Sequence, residues 1–258
     1  MTNRSTRRMF LRMSAAGLSI LAIRPLGATA ADGDAAQLIQ AAAKAMAALK
    51  TFHFEMETIE GQSTILENLE LQKVEGDVLR PDSFRATLTA KVAVVKVSVD
   101  VVSVGGAVWV TDPLQAGTVW RQVAGDGEQN ASAAFTDLIN PDRMFLAAIS
   151  LIDDPKIEGT EKINGEECTV VTGQFDPKRL QELASPVAGE LGTPGTAEVN
   201  TPSMLTGEPV YLSAWIAGDG RVLRIEEEGP LTTSESNDVV RAITFSKFDE
   251  PIEITAPQ

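Results

Sequence analysis

From Leu71 to Val123 apolar and polar side chains alternate, and no stretch in that region is long enough for a crossover helix. Strands joined by such short links pair as antiparallel neighbours, not as βαβ units. Phe84, Ala86, Leu88, Ala90 and Val92 share one parity, with Arg85, Thr87, Thr89 and Lys91 on the other. Further on, Val95, Val97, Val99 and Val101 are apolar while Lys96, Ser98 and Asp100 are polar, so the apolar parity has switched from even to odd. A one-residue slip turns every side chain to the wrong face, so a tight turn or bulge is expected near Ala93-Val94. Gly105-Gly106 is a two-residue hairpin signal leading into Ala107–Thr111, which Asp112-Pro113 stops; Thr118–Val123 is a further short strand. Arg80-Pro81-Asp82 marks a strand end or turn.

The same grammar recurs on both sides. Phe52, Phe54 and Met56 alternate with His53, Glu55 and Glu57, giving a half-buried strand over Thr51–Ile59. Asn164-Gly165 turns between Ile157–Ile163 and Cys168–Phe175. Val210–Ala217, a turn at Gly218-Asp219-Gly220, Val222–Glu228 and Val239–Phe248 complete the strands. Helical spacing appears over Asp32–Lys50, with Leu38, Ile39, Ala42, Met46 and Leu49 in one stripe, and over Ala131–Leu151, where Asn140-Pro141-Asp142 offers a cap. Asp153-Asp154-Pro155 is read as the stop of that second region, Pro177–Leu183 as a short helix, and Ala184–Glu208 as a Gly/Pro/Ser/Thr-rich loop or lid. The expectation is an α+β fold: a single curved antiparallel sheet, or half-barrel, with helices packed on its concave face. Such a shell holds either an apolar cavity or a solid core, and the pattern leaves both open.

The first thirty residues are of another kind. Arg4, Arg7, Arg8 and Arg12 precede an apolar run from Met13 to Ile23, and Ala28-Thr29-Ala30 reads as a cleavage site. Ser5–Arg12, with its paired arginines followed by Phe-Leu and a basic residue, looks like a twin-arginine export signal. The expected division is a signal peptide at 1–30 and one domain at 31–258. Removing the signal takes away five arginines and no acidic residue, so the formal charge moves from −14 to −19. That surface repels nucleic acid, which needs a basic footprint.

The chain has one His, one Cys and one Tyr. A Cys/His zinc site and an intrachain disulfide are excluded, and a Ser/His/Asp hydrolase would have to use His53. No G-x-S-x-G, Walker loop or H-E-x-x-H is present. His53 reads as a solvated strand histidine, Cys168 as a buried thiol, and Glu226-Glu227-Glu228 as a solvated charge run at a strand end rather than a calcium site. Asn130-Ala131-Ser132 fits a glycosylation pattern by chance. No catalytic residue, metal or cofactor is expected.

The chain resembles the LppX/LprG family of mycobacterial envelope lipoproteins, which share a LolA-like fold. The resemblance is carried by Arg80-Pro81-Asp82, by Val104-Gly105-Gly106 leading to Val108-Trp109-Val110-Thr111-Asp112-Pro113, and by Trp120. It continues through Leu138-Ile139-Asn140-Pro141, Asp154-Pro155-Lys156, Gly159-Thr160-Glu161, Asn164-Gly165, Thr172-Gly173, and Trp215-Ile216 with Asp219-Gly220-Arg221-Val222-Leu223-Arg224-Ile225. It implies a hydrophobic cavity that takes up acyl chains, and non-catalytic carriage of acyl lipids or glycolipids in the cell envelope. Family lipoproteins carry a Cys just after the signal peptide; Leu26–Ala31 has none, so a soluble exported monomer is expected, with transient membrane or transporter contact. Candidate cavity-wall residues are Phe54, Met56, Phe84, Leu88, Val97, Val99, Val101, Leu146 and Ile149, each otherwise an ordinary core residue. Two other readings compete: a structural or adhesion module of the envelope with a solid core, and a hydrolase built on two carboxylates facing each other at ~5–9 Å.

Overall fold

A computed structural model describes residues 32–66, 69–112, 118–123, 149–179 and 206–257. The helix α1 spans Asp32–Ala48. The strands are β1 (Thr51–Glu60), β2 (Ser63–Leu66), β3 (Leu69–Leu79), β4 (Ser83–Val92), β5 (Val95–Val104), β6 (Ala107–Thr111), β7 (Trp120–Val123), β8 (Asp153–Ile163), β9 (Glu166–Phe175), β10 (Val210–Ala217), β11 (Val222–Glu228) and β12 (Val240–Ser246). All belong to one antiparallel, curved and unclosed sheet in the order β7-β6-β5-β4-β3-β1-β12-β11-β10-β9-β8, with β2 paired to β3 alone.

Two meanders therefore meet in the middle. β3 to β7 form one wing and β8 to β12 the other, and β1 joins them by pairing with β3 on one side and β12 on the other. The expected turns are in place. Ala93 takes φ +56° between β4 and β5, where the parity switches, so Val92 pairs with Val95 and the apolar sets of both strands stay on one face. Gly105, Gly106, Asn164 and Gly165 also have positive φ, as two-residue hairpins of this twist require.

α1 is the one long helix among the described residues. Its stripe of Ala35, Ile39, Ala42, Met46 and Leu49 is buried and shares one core with Phe52, Phe54 and Met56 of β1 and with inward side chains of the other strands. The sheet face that shares this core is the inner face. The turn after β10 lies under the helix: a Cβ on Gly220 would sit 3.1 Å from that of Ala45, and the Val222 amide reaches Met46 Sδ at 3.3 Å. The last turn of α1 contains no basic residue, and Arg80 supplies one from outside. Its guanidinium donates to the carbonyls of Met46 and Leu49 at the helix C-terminus, where a cation is favourable.

Several expectations need correction or fall on residues that are not described. Helical residues do end at Ser150, just before Asp153-Asp154-Pro155, but that segment is more than a stop: it begins β8, an edge strand, where proline removes no ladder bond that matters. Of the second helical region only its last residues, from Ile149, are described, and of Pro177–Leu183 only the first three. Residues 1–30, most of Ala184–Glu208, Asn130 to Ser132 and Leu146 lie outside the described residues.

Candidate functional site

Register across the sheet lines up one row of inner-face side chains. Val99 of β5 lies opposite Leu88, Leu88 opposite Val74, Val74 opposite Met56 and Met56 opposite Ile243. The row goes on through Ile225, Ala214 and Val171 to Ile157 of β8. Nine strands thus contribute nine apolar residues in succession. Burial of each larger side chain is worth roughly 1.5–3 kcal/mol, so this row is the spine of the core.

Most predicted wall residues lie on or beside that spine. Phe54, Met56, Phe84, Leu88, Val101 and Ile149 are buried in the one inner-face core, and Val99 packs against it from a partly exposed position. Val97 lies opposite Ala90, nearer the β4–β5 turn, and is half-buried. At that turn Val92, Val94 and Val95 are exposed, Val94 almost completely.

The next inner-face row breaks the apolar pattern. Leu212 lies opposite Glu227, Glu227 opposite Arg241 and Arg241 opposite Thr58. Glu227 is 1% and Arg241 2% exposed, so the reading of Glu226-Glu227-Glu228 as a solvated run is corrected at its middle residue. Alternation carries Glu227 inward with Ile225, while Glu226 and Glu228 stay partly exposed. Arg241 Nη2 donates to Glu235 Oε2 at 2.8 Å. The same carboxylate accepts from the amides of Leu231 and Thr232 and from the Ser63 hydroxyl. Glu227 Oε2 stands 4.0 Å from Arg241 Nη1, beyond hydrogen-bond range, and neither atom has a hydrogen-bond partner among the described residues. Burial pushes the Glu227 carboxyl up to about 7; Arg241 pulls it down and Glu235 pushes it further up. Leaving a buried polar atom unpartnered costs ~1–3 kcal/mol, so the pair is an expensive feature of this face.

The outer face is different. His53, expected as a solvated histidine, is instead half-buried and hydrogen-bonded, its Nδ1 2.7 Å from Asp77 Oδ1. Arg85 Nε donates to the other Asp77 oxygen at 2.8 Å. Burial works to raise the Asp77 carboxyl, but hydrogen bonds from His53 and Arg85 outweigh it and hold it below its ordinary value. Ser246 is the register partner of His53, yet no hydrogen bond joins them, and His53 Nε2 faces Glu55 at 3.7 Å. That leaves no histidine-activated hydroxyl in this arrangement. Farther along the same face Cys168, Val170, Trp215, Ala217 and Leu223 form a small second core, and burial raises the Cys168 thiol. Arg224 lies over the Trp215 ring at 5.7 Å and Arg221 over Phe248 at 5.0 Å. Among the described residues no three His, Cys, Asp or Glu side chains converge to hold a metal ion.

A cleft of about 510 Å³ lies at the β8 edge of the sheet; Lys156, Glu158, Thr172, Gln174, Tyr211 and Ser213 line it with the parity of the outer face. Periodicity could have found Glu227 and Arg241, since they keep the parity of Ile225 and Ile243; the cleft depends on strand pairing that leaves no local mark.

Residues 34–254 match the model of the LppX_LprAFG lipoprotein family. Lipoprotein LprA of Mycobacterium tuberculosis is 26% identical over 235 residues, covering 89% of this chain and 84% of its own. The crystal structure of LprF from Mycobacterium bovis superposes with a TM-score of 0.58 at 18% identity, over 90% of this chain and 99% of that one. The crystal structure of lipoprotein LppX from Mycobacterium tuberculosis gives 0.54 at 16% identity, over 87% and 100%. At such identities the two structures establish a shared fold.

Proposed function

This chain belongs to the LppX_LprAFG lipoprotein family, and on that premise we propose that it binds acyl lipids or glycolipids against its inner face and carries them in the cell envelope without turnover. The observation that carries the reading is the apolar row running unbroken from Val99 to Ile157 across nine strands. An acyl chain laid along such a surface needs no specific polar contact, because each buried methylene contributes ~0.8 kcal/mol. The sheet is unclosed, with β7 and β8 at its free edges, so its wings can part without breaking a ladder. The chain of the ligand then takes the place of packing now made against the inner face.

Loading and unloading call for transient contact with a membrane or a transporter. The β4–β5 turn supports the membrane option. Val92, Ala93, Val94 and Val95 form an exposed apolar run with Lys91 and Lys96 at its flanks, on a chain whose overall charge is strongly negative. Runs of this kind at a surface are otherwise avoided.

The near-complete burial of Val74, Ile243, Ile225, Ala214 and Val171 favours a second reading, an envelope structural or adhesion module with a solid core. One experiment separates the two. Protein purified from its native host is examined by native mass spectrometry and again after denaturing release. Acyl lipid in the released fraction supports carriage, and Val99→Trp should then abolish uptake with little loss of folding. Protein free of lipid that also takes up none in vitro supports the solid core.

A further inference from the structure

On an inner face built to be apolar, one place carries a donor and an acceptor with no partner among the described residues. Glu235 is fully engaged by Arg241, Ser63 and the backbone amides of Leu231 and Thr232. What remains is Arg241 Nη1 and Glu227 Oε2, 4.0 Å apart and without partners among the described residues. A single oxygen ~2.8 Å from each would accept from the guanidinium and donate to the carboxylate. A hydroxyl group does both with one atom. An ester or an alkyl chain cannot donate, and a phosphate or carboxylate would set a second anion against Glu227 and Glu235. We propose that Glu227 and Arg241 are the recognition point for a hydroxyl of a lipid's sugar or glycerol headgroup. This rests on the lipid-carriage reading and names the chemistry of its polar end.

The surroundings agree. Leu212 of β10, the register partner of Glu227, is buried in the same inner-face core. On its other side, Ile225 and Ile243 belong to the apolar row. A lipid whose headgroup is seated at Glu227 has its chain on that row.

The test uses the full chain and two probes with the same acyl chain, 1-monopalmitoylglycerol and methyl palmitate, each displacing a dodecylpyrene reporter. Wild-type protein should bind the monoglyceride at least ~10-fold more tightly, the worth of one hydrogen bond to a charged partner. Glu227→Leu should erase that preference and leave methyl palmitate unchanged. Glu227→Gln, closest in shape, should weaken the monoglyceride alone by roughly 3-fold, and it carries the test if the leucine variant does not fold. Equal affinities in the wild type, or a Glu227→Leu loss shared by both probes, overturns the recognition point while leaving lipid binding intact. If dodecylpyrene and both probes fail to bind, lipid carriage itself is wrong and the recognition point falls with it.

Discussion

Two charge clusters sit on opposite faces of the central strands, built from the same residue types, and burial makes them opposites. On the outer face, Asp77 has His53 and Arg85 at hydrogen-bond distance, and Lys73 lies 3.1 Å from Glu55 and 2.6 Å from Glu75. The Asp77 carboxyl is held below its usual range. On the inner face, Arg241 must serve two carboxylates, reaches one, and leaves Glu227 at 4.0 Å with its carboxyl raised to about 7. The difference lies in solvent access rather than in sequence composition: a charge that is cheap on one side of a strand is costly on the other.

The largest expected break in that comparison is Arg241→Met. It removes the sole cation facing Glu227 and Glu235 among the described residues and leaves both carboxylates buried. Loss of one partner of a buried ion pair costs about 3–5 kcal/mol, or roughly 10 °C in Tm for a chain of this size. A thermal melt that moves by less than about 2 °C would mean that the inner cluster is as well solvated as the outer one.

A smaller effect follows from pH. Glu227 has a raised folded value, about 7 against 4.5. The folded chain therefore holds a proton that the unfolded chain has already released, and stability falls as pH rises from about 4.5 to about 7. Below that window both forms are protonated, and above it both are charged with the penalty complete. The loss is on the order of 3 kcal/mol. Glu227→Gln cannot titrate, so its stability relative to the wild type should rise by that amount between pH 4 and pH 8, as read from chemical unfolding at the two values. A difference that stays constant with pH would place the Glu227 carboxyl in contact with solvent.

The same contrast shows what could be read from residues alone. Alternation placed the strands, and the switch of parity at Ala93 located a turn that the structure confirms. Strand parity also held the information that Glu227 faces inward with Ile225 and Arg241 with Ile243. Three glutamates in succession outweighed it, because a charge run is usually a solvated face. Pairing between β1 and β12 could not be foreseen: about 190 residues separate them, and long-range register leaves no local trace. Of the wall candidates, Phe54, Met56, Leu88 and Val99 were chosen by parity alone, and register brings Met56, Leu88 and Val99 into one row with Phe54 beside it. The start of β8 at Asp153 was obscured by its proline, which reads as a stop anywhere except on an edge strand.

The smallest expected effect lies on the outer face. Asp77→Asn keeps the shape and removes the charge that His53 and Arg85 share. Asp77 has a lowered folded value, so its contribution is present above its unfolded value and disappears as pH falls through the folded one. The variant should therefore be weaker than the wild type at pH 7 by about 1 kcal/mol or less, and equal to it in strong acid. High salt should narrow the gap at pH 7, since Arg85 is more than half exposed and its attraction for Asp77 is screened. The inner cluster, shielded from ions by burial, should show no such narrowing in Arg241→Met. Melting both variants at 50 mM and 1 M salt therefore tests the comparison directly. If Asp77→Asn costs as much as Arg241→Met and neither responds to salt, the two faces are not the two environments that their geometry describes.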